Sequence, residues 1–286
     1  MHPPLSWRLR TKTLVAGRIP LLMGVVNVTP DSFSDGGRFL EPAAAVEHGL
    51  RLAAEGAELL DVGGQSTRPG AAPITAEEEL RRVLPVIVAL QRQTEAPISI
   101  DTSSAKVAAE CLAAGAEVIN DVTALTGDGD MFALAAQSGC GVCAMHMQGT
   151  PQTMQIHPRY GDVVEEVLVW LAARRDALVA GGIARERIAL DPGIGFGKTA
   201  AHNLAILNHW SRYRALGSPL VLGLSRKAFL GHVIGDPAAD RTAGTIAAAL
   251  AAARQGVEVL RVHDVAAVRQ ALLVFDAVGG FTEEKG

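Results

Sequence analysis

Eight short apolar runs, each followed by a polar turn and a segment of helical periodicity, constrain this chain more than any other feature. They cover residues 21–26, 58–62, 97–101, 116–121, 140–145, 188–191, 219–224 and 257–262. Runs this short, bounded by turn residues, read as strands buried on both faces. Helices are expected between them over 41–55, 75–92, 104–114, 131–137, 161–180, 202–214, 227–234, 240–255 and 264–278. Pro42 suits a first helical turn and Gly56 a helix end. Thr75, with Glu78 three residues on, is a helix start. Strand–helix alternation means parallel strands joined by right-handed crossovers. Eight such units in this length make an α/β chain a single-domain (β/α)8 TIM barrel. An open doubly wound sheet would need a Gly-rich phosphate loop after an early strand, and none is there. Residues 1–20 form an N-terminal lead-in, read as a hairpin at the barrel bottom. Residues 21–280 make the barrel and 281–286 a short tail.

Composition narrows the function. Of 286 residues, 49% are apolar, ample for one large core. Net charge is −4 and the pI about 6.1, with Lys and Arg scattered, so there is no basic footprint for nucleic acid. No apolar run approaches the ~20 residues that span a bilayer, so no membrane role is expected. Met1-His2-Pro3-Pro4 lacks the pattern of a signal peptide, which points to the cytoplasm. Cys140 and Cys143 have redox-pair spacing, but on a strand such positions face opposite ways. They and Cys111 read as small buried thiols in a reducing compartment.

A barrel of this kind carries its active site at the carboxyl ends of its strands. Polar residues gather after all eight runs: Asn27; Gln65 to Gly70; Asp101; Asn120 with Asp121; His146 beside Met145; Asp191; Ser225 to Lys227; and Arg261 with His263. One Asp at such a place is as readily a helix cap, but the recurrence argues for a site. The Asn27–Gly37 loop, Asn-Val-Thr-Pro-Asp-Ser-Phe-Ser-Asp-Gly-Gly, adds turn residues and small polar groups around Phe33.

The set has a chemical logic. Asp101, Asn120, Asp191 and Lys227 can ring a flat heterocycle with alternating donors and acceptors. A carboxylate meets an adjacent ring N–H and amino group in a two-point match. Arg261 and His263, two apart on one strand, face one side and suit an anionic phosphate group. Asn27 offers one hard oxygen, enough for Mg2+ that takes most of its shell from phosphate and water.

Gly193-Ile194-Gly195-Phe196-Gly197-Lys198-Thr199 imitates a nucleotide loop. The Walker pattern fails because Pro192 stands where its first Gly belongs, and the dinucleotide pattern fails at Lys198. The segment reads as a tight loop over a ligand. His146 divides evenly between ligand contact and a satisfied structural imidazole. His2, His48, His157, His202, His209 and His232 read as structural or solvated. No Gly-x-Ser-x-Gly elbow occurs.

These motifs resemble those of the dihydropteroate synthases: residues 27–37; Asp-Val-Gly-Gly-Gln-Ser-Thr-Arg-Pro-Gly at 61–70; Ile-Asp-Thr at 100–102; Ile-Asn-Asp-Val at 119–122; Met-His-Met-Gln-Gly at 145–149; Asp-Pro-Gly-Ile-Gly-Phe-Gly-Lys-Thr at 191–199; Ser-Arg-Lys at 225–227; and Arg-Val-His-Asp at 261–264. Position 65, here Gln, varies among relatives between Glu and apolar residues, and residues 1–20 match no motif. The resemblance implies a folate-pathway transferase. The amine of 4-aminobenzoate attacks the methylene of 6-hydroxymethyl-7,8-dihydropterin diphosphate, giving dihydropteroate and diphosphate. It implies that Asp101, Asn120, Asp191 and Lys227 hold the pterin, with Met145, Gly195 and Phe196 lining its slot. Asn27, Arg261 and His263 would take the diphosphate, with Mg2+ at Asn27 and Thr67 alongside. Phe33, Arg68, Pro69 and Ser225 would shape the aminobenzoate subsite. A homodimer through barrel helices is also implied, and the Ala-rich residues 243–253 suit close helix packing. Two other readings stay open. A pterin-binding methyltransferase would hold methyltetrahydrofolate for a corrinoid partner, but it has no diphosphate for Arg261 and His263. A catalytically silent pterin-binding paralogue is opposed by the intact ligand set.

Overall fold

A computed structural model describes residues 5–29, 41–67 and 70–281. The lead-in forms a hairpin of β1 (Ser6–Arg8) and β2 (Thr13–Val15), paired antiparallel. Eight parallel strands follow: β3 (Leu21–Asn27), β4 (Leu59–Gly63), β5 (Ile98–Asp101), β6 (Val118–Asp121), β7 (Gly141–Met145), β8 (Ile188–Asp191), β9 (Val221–Gly223) and β10 (Val259–Val262). They lie in the order β8-β7-β6-β5-β4-β3-β10-β9. A parallel bridge between Leu190 and Leu220 joins the two edges and closes the (β/α)8 barrel.

The helices are α1 (Glu41–Ala54), α2 (Ala76–Gln93), α3 (Ala105–Ala113), α4 (Met131–Ser138), α5 (Val163–Ala180), α6 (Ala200–Asn208), α7 (Ala228–Ile234), α8 (Thr242–Arg254) and α9 (Val265–Ala277). Thr75 caps α2 as its sequence suggests, accepting from Glu78 N. The Glu78 carboxylate does not return the bond; it takes Arg82 Nε at 2.8 Å, and Arg82 also donates to Gly64 O at 3.0 Å. One helix expected over 202–214 is two: α6 stops at Asn208 and a 3-10 helix runs Trp210–Leu216. Its buried residues Trp210, Tyr213 and Leu216 recur every third position, the period of that tighter helix.

Side chains alternate along each strand between the barrel interior and the helix layer. The helix-facing set, including Leu22, Val26, Leu60, Ile100, Val142 and Leu222, makes one large core with the helices. The interior set makes a smaller one: Met23, Leu59, Val118, Cys143, Ala189, Val221 and Val259, with Trp7 and Leu9 of the hairpin filling the bottom. Trp7 Nε1 donates to Arg187 O at 3.0 Å, and Arg187 returns a bond to Leu9 O at 2.7 Å. Cys140 and Cys143 fall in different cores, as their strand spacing requires. Among the described residues, no helix is long and apolar enough to cross a membrane.

Candidate active site

The alternation that builds the interior core also builds the site. Two residues beyond the interior residues Leu59, Val118, Cys143, Ala189, Val221 and Val259 stand Asp61, Asn120, Met145, Asp191, Gly223 and Arg261. They share the interior face one layer nearer the carboxyl ends. Asp101 pairs in register with Gly63 and Asn120, and Asn27 with Gly63.

At the centre, Arg261 donates from Nε to Asp61 Oδ2 at 2.6 Å and from Nη2 to Asp101 Oδ2 at 2.8 Å. Asn120 Nδ2 donates to the same Asp61 oxygen at 3.0 Å. Asp61 is wholly buried and its Oδ1 has no hydrogen-bond partner. Burial pushes Asp101 up to about 7; Arg261 opposes this and the neighbouring Asp61 adds to it. Burial works against the Arg261 charge, but Asp61 and Asp101 outweigh it and raise its pKa. Asp61 lies within a motif quoted above, yet sequence reading assigned it no role. A charge at an interior position of an apolar strand was the available signal.

The second half of the site meets over Gly223. A Cβ there would lie 3.6 Å from Lys227 Nζ and 3.9 Å from both Asp191 Oδ2 and Arg261 Cδ. Lys227 precedes α7 and donates to Ile194 O, with its ammonium 4.8 Å from the centre of the Phe196 ring. Burial lowers Lys227 to about 8 against the pull of Asp191, and burial raises Asp191 against Lys227. Asp191 Oδ1 accepts from Gly193 N at 2.7 Å. His263 Nδ1 lies 3.0 Å from Ser225 Oγ, and its backbone N–H donates to the same oxygen at 3.3 Å. Between Ser225 and Lys227, Arg226 takes a left-handed φ of 58°. It is held there by Thr245 Oγ1, 3.1 Å from its N–H, and by an ion pair with Asp264.

The loop after β8 is compact rather than nucleotide-binding. Lys198, 2% exposed, reaches His146 Nδ1 at 2.9 Å and donates to Gly193 O and Phe196 O, both at 3.0 Å. Thr199 caps α6 in a capping box with His202. Gly193 has a φ of 69°, and a Cβ there would sit 1.9 Å from His146 O. Gly195 N donates to Asn203 Oδ1 at 2.8 Å.

Two rim residues turn away from the interior. Asp121, one step out of phase with Asn120, accepts from Thr123 N at 2.7 Å and Leu125 N at 2.9 Å, so it is a loop cap. His146, one step past Met145, packs edge-on to Trp170 with centroids 4.9 Å apart. Burial first, then Lys198, lowers its pKa to about 3, so it is a structural imidazole at neutral pH.

Thr67 lines a cavity of about 240 Å3 with Gln65, Asp101, Thr102 and Thr123. A second cavity, about 350 Å3, lies between α5 and α6 on the barrel flank and shares no residue with the rim set; its Arg212 is paired with Glu165. Phe33, Arg68 and Pro69 lie outside the described residues. Among the described residues no group of three or more His, Cys, Asp or Glu could hold a metal. Asn27, half-buried at the end of β3, offers a single amide oxygen. That suits an ion held chiefly by ligand oxygens.

Residues 23–263 match the family model described as "Pterin binding enzyme". The dihydropteroate synthase of Neisseria meningitidis serogroup B is 47% identical over 266 residues, 91% of this chain and 93% of that one. Among solved structures, a Xanthomonas albilineans dihydropteroate synthase with 4-aminobenzoic acid superposes with a TM-score of 0.89. It is 48% identical, covering 96% of this chain and 98% of that one. The same species' enzyme with 7,8-dihydropteroate gives 0.85 at 44% identity, covering 96% and 98%. The barrel's interior face ends in a ring of carboxylates, amide, Lys and Arg, and the chain belongs to the pterin-binding enzyme family, among its dihydropteroate synthases.

Proposed function

We propose that this chain joins 4-aminobenzoate to 6-hydroxymethyl-7,8-dihydropterin diphosphate, forming 7,8-dihydropteroate and diphosphate. The observation that carries this reading is the meeting of Asp191, Lys227 and Arg261 over Gly223, beside Asp101 and Asn120. No side chain stands at that point, and a carboxylate, an ammonium and a guanidinium stem converge on it.

In this reading Asp101, Asn120, Asp191 and Lys227 take the polar edge of the pterin, and Met145, Gly195 and Phe196 line its faces. His263 and Asn27 take the diphosphate, with Thr67 alongside. Arg261 joins them through Nη1, since its other two nitrogens already meet Asp61 and Asp101. Mg2+ at Asn27 supplies charge neutralisation for the departing group when bound. The C–O bond to diphosphate breaks with positive charge building on the methylene carbon; the neutral amine nitrogen then bonds that carbon and gives its proton to solvent or to the departing diphosphate. The carboxylates near the pterin favour positive charge spreading from the methylene into the ring. Ser225, with Phe33, Arg68 and Pro69 of the two rim loops, shapes the aminobenzoate subsite. The active form is a cytoplasmic homodimer packed through barrel helices. Sedimentation at twice the chain mass of 29.9 kDa checks the dimer.

The test mixes protein, Mg2+, the pterin diphosphate and 4-aminobenzoate and follows diphosphate release. Release that depends on the amine, with dihydropteroate formed in equal amount, is expected. Release that ignores the amine would refute the proposal.

A further inference from the structure

We propose that Lys198 is a positioning residue: it holds the Gly193–Phe196 loop against the end of β7 and so sets the shape of the pterin slot. This rests on the reading of that slot given above.

Lys198 is as buried as the core, burial lowers its pKa to about 7, and its Nζ is surrounded by acceptors rather than by a counter-charge in contact. His146 Nδ1 lies at 2.9 Å, Gly193 O and Phe196 O at 3.0 Å, and His146 O at 3.4 Å. Burying an ammonium for stability alone is a poor solution, because a well-packed apolar side chain does as well. What the Nζ hydrogens do, and an apolar group cannot, is draw carbonyls and an imidazole to one point. Two of those carbonyls are the ends of a single turn, Gly193 to Phe196, closed by Phe196 N donating to Gly193 O at 3.0 Å. The others belong to His146, next to Met145 at the end of β7. One atom thus ties the loop after β8 to the strand beside it.

The tie matters because this turn packs against the Lys227 side chain. Ile194 O accepts from Lys227 Nζ, the Phe196 ring lies 4.8 Å from that ammonium, and Gly195 passes so close that a Cβ would stand 3.3 Å from Lys227 Cδ. The loop has little room of its own. A Cβ at Gly193 would overlap His146 O, and one at Gly197 would lie 2.6 Å from Gln148 O. Without the tie, the loop relaxes away from β7 and carries Phe196 and the Ile194 carbonyl with it. His146 serves as the fixed end, its Nδ1 2.9 Å from Lys198 Nζ and its ring braced on Trp170.

The experiment uses the full chain and Lys198→Met, with His146→Asn and His146→Leu as a second pair. KM for each substrate and the dissociation constant of the pterin diphosphate, read by pterin fluorescence without amine, are compared with wild type. Lys198→Met is expected to raise both pterin values 10- to 100-fold, the cost of a misplacement of about 1 Å. The 4-aminobenzoate KM should stay within about twofold. Wild-type pterin affinity in Lys198→Met overturns the proposal. So does a lower yield of active protein with unchanged KM, which is what a merely structural role produces. Should Lys198→Met fail to fold, the histidine pair decides. His146→Asn keeps an acceptor near Nζ and should retain binding, whereas His146→Leu should lose it about tenfold. Equal binding by the pair overturns the proposal. A wild-type protein that forms no dihydropteroate defeats the synthase reading instead, and the binding comparison still judges Lys198.

Discussion

Gly223 matters for what it lacks. Its missing Cβ leaves the point where Asp191, Lys227 and Arg261 meet without a side chain of its own. All three lie at ordinary contact distance from that point, so Gly223→Ala should fold normally. It should raise the KM for the pterin substrate by about 10- to 100-fold, with thermal midpoint close to wild type. Lys227→Ala and Asp191→Ala should each cut turnover by at least about 100-fold, with far-UV dichroism unchanged. Wild-type rates in both would remove these residues from the pocket. At this scale the sequence was informative through parity. Asn120 and Asp121 are adjacent and equally polar, but only Asn120 is in phase with the interior residue Val118. Telling them apart needed the strand's phase, and strand β6 is too short for its pattern to declare it. Asp61 and Lys198 were missed for a different reason: Asp61 bonds only to groups remote in sequence, and Lys198 reaches His146, 52 residues back, as well as the carbonyls of its own loop.

Elements position these residues from below. The β1–β2 hairpin inserts Trp7 and Leu9 into the barrel bottom, so the interior core beneath the site is continuous. Trp7→Ala should cost about 3–5 kcal/mol, seen as a lower urea midpoint, while the KM for the pterin substrate stays the same. A changed KM would mean that the plug shapes the rim as well. The strand bottoms are tied by glutamates that precede them. Glu58 accepts from Leu22 N at 2.8 Å, Glu117 from Thr11 N at 2.7 Å and Glu258 from Leu220 N at 3.0 Å. Helices and strands were legible to within a few residues because caps, glycines and apolar runs mark them locally. The break after Asn208 was not, since the 3-10 turn follows from where Trp210, Tyr213 and Leu216 must pack.

For the whole molecule, one buried acid, Glu258, makes stability depend on pH. Glu258 is 5% exposed, and burial raises its pKa from 4.5 to about 7. The folded state therefore holds this proton over a range in which the unfolded chain has released it. Its contribution is favourable below about pH 4.5 and is lost as pH rises to about 7. Glu258→Gln keeps the carbonyl acceptor and removes the charge. Its stability advantage over wild type should grow across that window to the order of 2–3 kcal/mol, measured by urea unfolding at a series of pH values. An advantage that is flat with pH would mean that the carboxyl ionises in the folded state at the same pH as in the unfolded chain.

The sequence by itself determined the eightfold strand–helix repeat, the parallel barrel and the side of it on which polar residues collect, because periodicity and turn chemistry are local properties of the chain. Tertiary structure alone decided which of those polar residues share the interior, that Arg261 is shared between Asp61 and Asp101, and that Lys198 binds β7 to the loop after β8. Such contacts join atoms from 52 to 200 residues apart, and barrel closure, not local pattern, brings them within hydrogen-bond reach.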